Sequence, residues 1–407
     1  MDFPLLGLLL FVACLVAMIT RRLKLPYSAG LVAAGLALAL LPIGFKVALT
    51  PELVFTIFLP PLIFEAAIQI PWAPFRRELP LLVLLVTIGV LLAAGVVAAG
   101  MHWLIGWSWL GAAFFGILVA ATDPVSVIAM FKEVPVPPRL HLLVEAESLL
   151  NDGVAAVGFA VLVAIAGGAA AGAPAIGAKF LMISFGGVAA GVIVTLPLLA
   201  IAGRTHDRLV EITLTTLAAF GSFLLAEHFH VSGVLAGLTA GMLVGNIGWL
   251  GSISDSSRPN VLYFWEYAAF LANSVIFILI GAAEAGTPIL PVLKAAGAAI
   301  LLCLLGRAAT VYPVAALFGG SKLRVTGAYQ HVLWWGGLRG ALALALALAL
   351  PASVIERGQI IAVAFAVVAF SVFVQGLTMG PLVKRLGLAH GGGHSSKVKA
   401  GDHKQDS

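Results

Sequence analysis

Charge is scarce in this sequence. Only 10% of its 407 residues are Asp, Glu, Lys or Arg, while 61% are hydrophobic. Soluble domains carry about 25% charged residues, so a water-soluble fold would leave much apolar surface uncovered, and the composition excludes it. Cysteine is scarcer still. Cys14 and Cys303 both fall inside apolar stretches, which excludes a disulfide framework and a thiolate metal site. The net charge of +5 is modest, and no basic stripe carries interleaved aromatics, so nucleic acid is not among the expected partners. The amino terminus lacks basic residues ahead of its first apolar run; Arg21 and Arg22 follow that run instead. This order fits a first membrane span rather than a cleavable targeting peptide.

Long apolar runs fill the chain. A spanning helix takes about 20 such residues, and cutting at charges, prolines and glycine clusters leaves thirteen candidates. The first six run 4–20, 27–43, 51–70, 80–104, 108–131 and 141–166. The other seven run 179–203, 208–226, 231–248, 260–283, 288–318, 325–350 and 358–383. Lys and Arg gather at one set of ends, leaving only Lys46, Lys179, Lys294 and Arg357 at the other. That bias predicts an outside N-terminus, a cytoplasmic C-terminus and an odd number of spans. Ala341 to Leu350 alternates like a strand, but Ala and Leu are both strong helix formers, so a helix is expected. The tail 386–407, with His390, Gly391–Gly393 and His394, reads as disordered and solvated rather than metal-binding.

Charges at membrane depth cost about 2.5–3.5 kcal/mol each on insertion scales and mark function. The candidates are Glu65, Asp123, Glu147, Asp152, Arg307 and Arg339; Glu227 and Glu266 lie nearer to segment ends. In the fifth segment, Thr122-Asp123-Pro124 predicts an interrupted helix, because Pro124 has no N–H and biases Asp123 away from helical angles. Irregular backbone at that depth must be buried in protein or line a cavity. In the sixth segment, Ser148 and Asp152 fall about 40° apart on one face, a hydroxyl and a carboxylate suited to a small alkali cation. Glu147 and Asn151 share a neighbouring face, where Glu147 needs a positive partner; Arg307, in the eleventh segment, can supply it. The twelfth segment has its own interruption, Gly336-Gly337-Leu338-Arg339-Gly340. Segments four to six and eleven to thirteen therefore match, each with a broken middle helix, at an odd offset that inverts the topology. Paired broken helices in equivalent halves point to a transporter site. Asp123 and Arg339 would balance the partial charges at the helix ends.

These motifs resemble those of the cation/proton antiporter superfamily, nearest to NhaP-type sodium/proton antiporters and animal sodium/hydrogen exchangers. The resemblance rests on Phe58-Leu59-Pro60-Pro61-Leu62-Ile63-Phe64-Glu65, on Thr122-Asp123-Pro124 and on Glu147-Ser148-Leu149-Leu150-Asn151-Asp152. It extends to Trp265-Glu266 with Asn273 and Phe277, and to Gly337-Leu338-Arg339-Gly340-Ala341. One departure is Ala146, where the family usually has Gly. The resemblance implies an all-α membrane protein of 13 transmembrane helices, built from two inverted six-helix repeats with crossing broken helices in segments 5 and 12. Residues 1–72 and 208–286 would form a scaffold and homodimer interface, 80–166 and 288–385 an ion-binding core, and 167–207 a linking helix.

It also implies a secondary antiporter of the plasma membrane rather than an enzyme, with no cofactor beyond the transported Na+ and H+ and with lipid as its surroundings. Asp152 would carry cation and proton in turn, with Ser148 and the Thr122 carbonyl as further Na+ ligands. Asp123 would lie in the site, Glu147 would pair with Arg307, Asn151 would brace the crossing, and Glu65 would be secondary. Family members that move net charge carry an aspartate where this chain has Asn151, so one-for-one electroneutral exchange is expected. Li+ and K+ remain open as alternatives to Na+. A sodium-coupled organic-solute symporter of related fold is the rival; a channel lacks its repeated filter here. An aspartyl dyad of Asp123 and Asp152 would leave Arg307, Arg339 and the double break unexplained.

Overall fold

The computed structural model describes residues 3–23, 25–40, 50–169, 172–285 and 290–389. Lys46 and the tail histidines His390 and His394 lie outside the described residues. Within them the chain is all helical, with no strand. The first quarter comprises α1 (Phe3–Leu23), α2 (Tyr27–Leu40), α3 (Pro51–Leu53), α4 (Leu59–Gln69), α5 (Trp72–Val86) and α6 (Ile88–Gly100). Next come α7 (Trp109–Leu118), α8 (Val125–Glu133), α9 (Pro138–Ala166), α10 (Ala173–Ala202), α11 (Arg208–His228) and α12 (Gly233–Asn246). The last are α13 (Arg258–Ala285), α14 (Leu293–Leu317), α15 (Gly327–Trp335), α16 (Ala341–Leu348), α17 (Arg357–Phe370) and α18 (Gly376–Arg385). Single π turns at Val54–Phe58, Met101–Ile105 and Ser371–Gln375 adjoin α4, α6 and both α17 and α18.

Among the described residues, ten helices are long and apolar enough to cross a membrane. The candidate at 27–43 is helical over Tyr27–Leu40, and residues 41–43 lie outside the described residues. The candidates at 108–131 and 325–350 are each divided in two, at 119–124 between α7 and α8 and at 336–340 between α15 and α16. The alternating Ala-Leu stretch is the buried helix α16. Helix starts follow residues that can cap. Ser108, Asp207, Ser232 and Thr326 accept from the first-turn N–H groups of α7, α11, α12 and α15, as short polar side chains do at this position. Ser108 is itself held from α17, since its N–H and hydroxyl both donate to Glu356, at 2.7 and 2.9 Å. Burial works against ionisation of Glu356, yet these hydrogen bonds outweigh it and keep the carboxyl below its ordinary value.

Helix association uses small residues, as expected where lipid supplies no hydrophobic drive between helices. α13 packs on α2 and α12 on α4, while α14 packs on α6 and α6 on α7. At the first of these contacts Gly35 faces the Ile278 carbonyl and Gly281 faces the Val32 carbonyl, with no room for a Cβ at either. Trp265 is 1% exposed; its indole N–H donates to Thr215 Oγ1 at 3.0 Å and its ring lies 4.4 Å from that of Phe64.

Backbone contact across α2 and α13 leaves no soft neighbour to yield, so Gly281→Val should overpack the contact at a cost of about 1–3 kcal/mol. A thermal melt of the detergent-solubilised protein should show a lowered midpoint. An unchanged midpoint would mean the two helices can separate without loss.

Candidate functional site

α7 ends at Leu118 and α8 begins at Val125, after Pro124. The Val119 N–H still bonds to the Phe115 carbonyl and the Pro124 carbonyl accepts from Ile128, but 120–123 lie outside both α-helical ladders. Freed backbone groups need partners inside an apolar layer, and the other interruption supplies them. The Asp123 N–H donates to the Leu338 carbonyl at 2.8 Å. The Asp123 carboxylate accepts from the Val125 N–H at 2.9 Å and faces the N–H of Ala341. Asp123 thus sits at the N-terminal ends of α8 and α16, where a negative charge is favoured. Gly340 is required by this approach, because a Cβ there would overlap the Asp123 carboxylate.

α9 brings four polar side chains to the same place. The Thr122 hydroxyl donates to Ser148 Oγ at 3.3 Å and accepts from Asn151 Nδ2 at 3.1 Å. Asn151 Nδ2 also donates to Glu147 Oε1 at 2.5 Å. Asp152 lies against the Thr122 backbone and near Asp123, and its Oδ1 has no hydrogen-bond partner among the described residues. Thr122, Glu147, Ser148 and Asn151 are buried, whereas Asp123 and Asp152 border a cavity of about 860 Å³.

Behind the break, Arg307 clamps Glu147 through Nη1 at 2.6 Å and Nη2 at 3.2 Å, a buried bidentate pair. The same Nη2 donates to the Leu333 carbonyl at 2.6 Å, in the last turn of α15. Gly337 leaves the space that the Arg307 guanidinium fills. Gln375, on the last residue of a π turn, donates to the Trp335 carbonyl at 2.9 Å. The free carbonyls of α15 are therefore held by Arg307 and Gln375. Arg339, expected to balance the helix ends, donates to the carbonyl of Gly337, two residues past the end of α15, and no acid lies within ion-pair distance of it among the described residues.

The cavity runs from Thr122, Asp123 and Asp152 out to Arg21, Lys132 and Lys384. Lys132 and Glu266 pair across its mouth at 3.3 Å, both well exposed. Glu65 lines the wall between, bonded to Gln69 Nε2, so it shares the cavity but not the hydrogen-bond network of the break.

A model of the family described as sodium/hydrogen exchanger, transmembrane, matches residues 8–385. The chain belongs to the sodium/hydrogen exchanger family. It is 38% identical over 385 residues to the Na(+)/H(+) antiporter NhaS2 of Synechocystis, covering 94% of this chain and 70% of that one. It is 33% identical over 345 residues to the antiporter NhaP of Pseudomonas aeruginosa, covering 82% and 81%. The fold is similar to that of the sodium proton antiporter MjNhaP1 of Methanocaldococcus jannaschii, with a TM-score of 0.74 at 23% identity over 94% of this chain and 98% of that one.

Within this family fold, the structure brings together Thr122, Asp123, Ser148, Asn151 and Asp152, and separately Glu147 with Arg307. Sequence reasoning missed the contact between Asp123 and Gly340, and the capping of α15 by Arg307 and Gln375. Gly340 was visible as part of a glycine-rich run, but only packing discloses that its missing Cβ makes room for a carboxylate.

Removing one member of a buried ion pair costs about 3–5 kcal/mol, because the other is left uncompensated. Glu147→Gln and Arg307→Ala should each lower the thermal midpoint strongly. The double variant should lose far less than the sum of the two; additive losses would mean that the pair contributes nothing as a pair.

Proposed function

We propose that this protein is a secondary antiporter that exchanges Na+ for H+, with cation and proton competing for Asp152. The names of its relatives support the ion pair, and the observation that carries the mechanism is the charge at the break. Three carboxylates, Asp123, Glu147 and Asp152, and two guanidiniums, Arg307 and Arg339, gather at the break, with Asp123 and Arg339 in the interruptions themselves. Glu147 is matched by Arg307, and Asp123 is stabilised by helix N-termini. Asp152 lines the cavity, and its buried Oδ1 has no hydrogen-bond partner among the described residues. With all five groups ionised the cluster carries one surplus negative charge, which a single Na+ or a single H+ neutralises. An uncompensated charge is costly to move through an apolar layer. Movement is therefore favoured only when Asp152 is loaded, and that rule alone yields exchange.

Ser148, Thr122 and, through its position beside Asp152, Asp123 supply the remaining oxygen environment for Na+, a hard cation. Asn151 cannot titrate and arginine stays charged at physiological pH, which leaves Asp152 as the alternating group and makes exchange electroneutral, one for one. Li+ and K+ are the competing cations, separated by fit alone. Glu65, between the mouth and Asp152, acts as a secondary group along the path.

The larger architecture follows the same reading. The chain crosses the membrane thirteen times in two inverted repeats. Residues 1–72 and 208–286 form a scaffold through which two copies pair, 80–166 and 288–385 form the moving core, and 167–207 links them. The N-terminus is outside and the C-terminus cytoplasmic in the plasma membrane. The cavity opens beside Arg21, Lys132 and Lys384, on the side the basic residues mark as cytoplasmic, so the state described is inward-facing. A cavity of about 860 Å³ also has the room an organic-solute symporter would need, and transport without such a solute separates the two.

Three measurements in sealed liposomes test the reading. Na+ added without any organic solute should dissipate an imposed acid-inside gradient, seen as dequenching of a pH dye; a requirement for an organic solute would favour the symporter. Asp152→Asn should fold, judged by its thermal melt, and lose both transport and Na+-dependent proton release; substantial exchange would move the site to Asp123. With a potassium/valinomycin potential imposed, the Na+-driven rate should stay flat. A rate that follows the sign and size of the potential would overturn the electroneutral count.

A further inference from the structure

The basic residues on the Lys- and Arg-rich side are not equivalent. Lys132 pairs with Glu266, Arg139 grips Glu78 in a bidentate pair at 2.7 and 3.0 Å, and Arg258 lies 5.0 Å over the Trp249 ring. Arg76, Arg77, Lys322 and Arg324 are exposed, and none of their side chains has an acidic partner or a hydrogen bond among the described residues. The four belong to two segments that are tied together. Arg139 reaches from α9 to Glu78 of α5, and the same guanidinium donates to the Arg324 carbonyl at 2.9 Å and the Leu323 carbonyl at 3.0 Å. The start of α5 and the segment 318–326 are thereby held around one half-buried ion pair, with four unmatched cations outside it.

Apolar surface continues from these cations toward the layer. Arg76 and Val83 are seven residues apart, two turns along one stripe of α5, and Val83 is 48% exposed. Trp72 opens the same helix at 48% exposed, and Leu317 ends α14 at 75% exposed, five residues before Lys322. A cationic rim directly above apolar helix faces, with an interfacial tryptophan beside it, matches a ligand that has a negative head and long hydrocarbon tails. A soluble anion would use the rim but leave the apolar faces without a role.

We propose that this face binds the phosphate headgroup of an anionic phospholipid, with its chains against Val83 and Leu317. The site lies away from Asp152 and stands whether or not the antiport reading holds. Each basic residue near a membrane surface contributes about 1 kcal/mol toward anionic lipid, which is a factor of roughly five in retention per residue removed.

The test purifies the full chain in detergent with equal amounts of phosphatidylglycerol and phosphatidylcholine of matched chains, and quantifies the lipid retained by mass spectrometry. Wild type should retain phosphatidylglycerol in preference, and excess inorganic phosphate should not displace it. Arg76→Ala, Arg77→Ala, Lys322→Ala and Arg324→Ala combined should lose the preference. The charge-conserving set Arg76→Lys, Arg77→Lys and Arg324→Lys should keep it, which guards against misfolding or altered insertion of the neutral variant. Equal retention of the two lipids by wild type, or an undiminished preference in the neutral variant, would overturn the proposal. Displacement by inorganic phosphate would overturn it in favour of a soluble-anion site.

Discussion

Two helices that stop in the middle of an apolar layer release backbone donors and acceptors that water cannot reach, and most of this structure answers that constraint. The interruptions at 119–124 and 336–340 lie against each other, so the Asp123 N–H finds the Leu338 carbonyl. Side chains from the break and from neighbouring elements meet others. Asp123 serves the starts of α8 and α16, Arg307 and Gln375 serve the end of α15, and Asn151 with Ser148 holds the Thr122 hydroxyl. A half-satisfied network of this kind would cost more than an apolar core. Its polar residues therefore constrain one another closely, and Gly337 and Gly340 are needed to let them approach.

The same constraint organises the charges. An arginine and a carboxylate are each expensive in an apolar surrounding, but Glu147 and Arg307 together satisfy both and leave Arg307 a donor for the α15 carbonyls. Asp152, one residue beyond Asn151 on the same helix, lies on the cavity side and is left with an unpartnered oxygen. The proposed competition between Na+ and H+ uses this asymmetry: Glu147 is paired with Arg307, Asp123 lines the cavity but is bonded to helix N-termini, and Asp152 lines it with an oxygen left unpartnered among the described residues.

The break at Pro124, the pairing of faces on α9 and the apolar runs were legible from the sequence because each depends on neighbours along the chain. Proline removes its own N–H and helical spacing fixes which of Glu147, Ser148, Asn151 and Asp152 share a side. The role of Arg339 was not legible in this way. Sequence reasoning gave Glu147 to Arg307 and the helix ends to Arg339, but it offered no distance from either arginine to a particular carbonyl. In the structure Arg307 takes both the acid and the α15 carbonyl, while Arg339 turns to Gly337.

By itself the sequence determined the solvent, the helical class, the two interruptions and the short roster of buried polar residues, because composition, proline chemistry and helical period are local properties. Tertiary structure alone decided which backbone groups the two interruptions share, that Gly340 yields its space to Asp123, and that Arg307 and Gln375 hold the end of α15. Those outcomes depend on contacts between residues such as Asp123 and Gly340, far apart in the chain, and on space left by an absent Cβ.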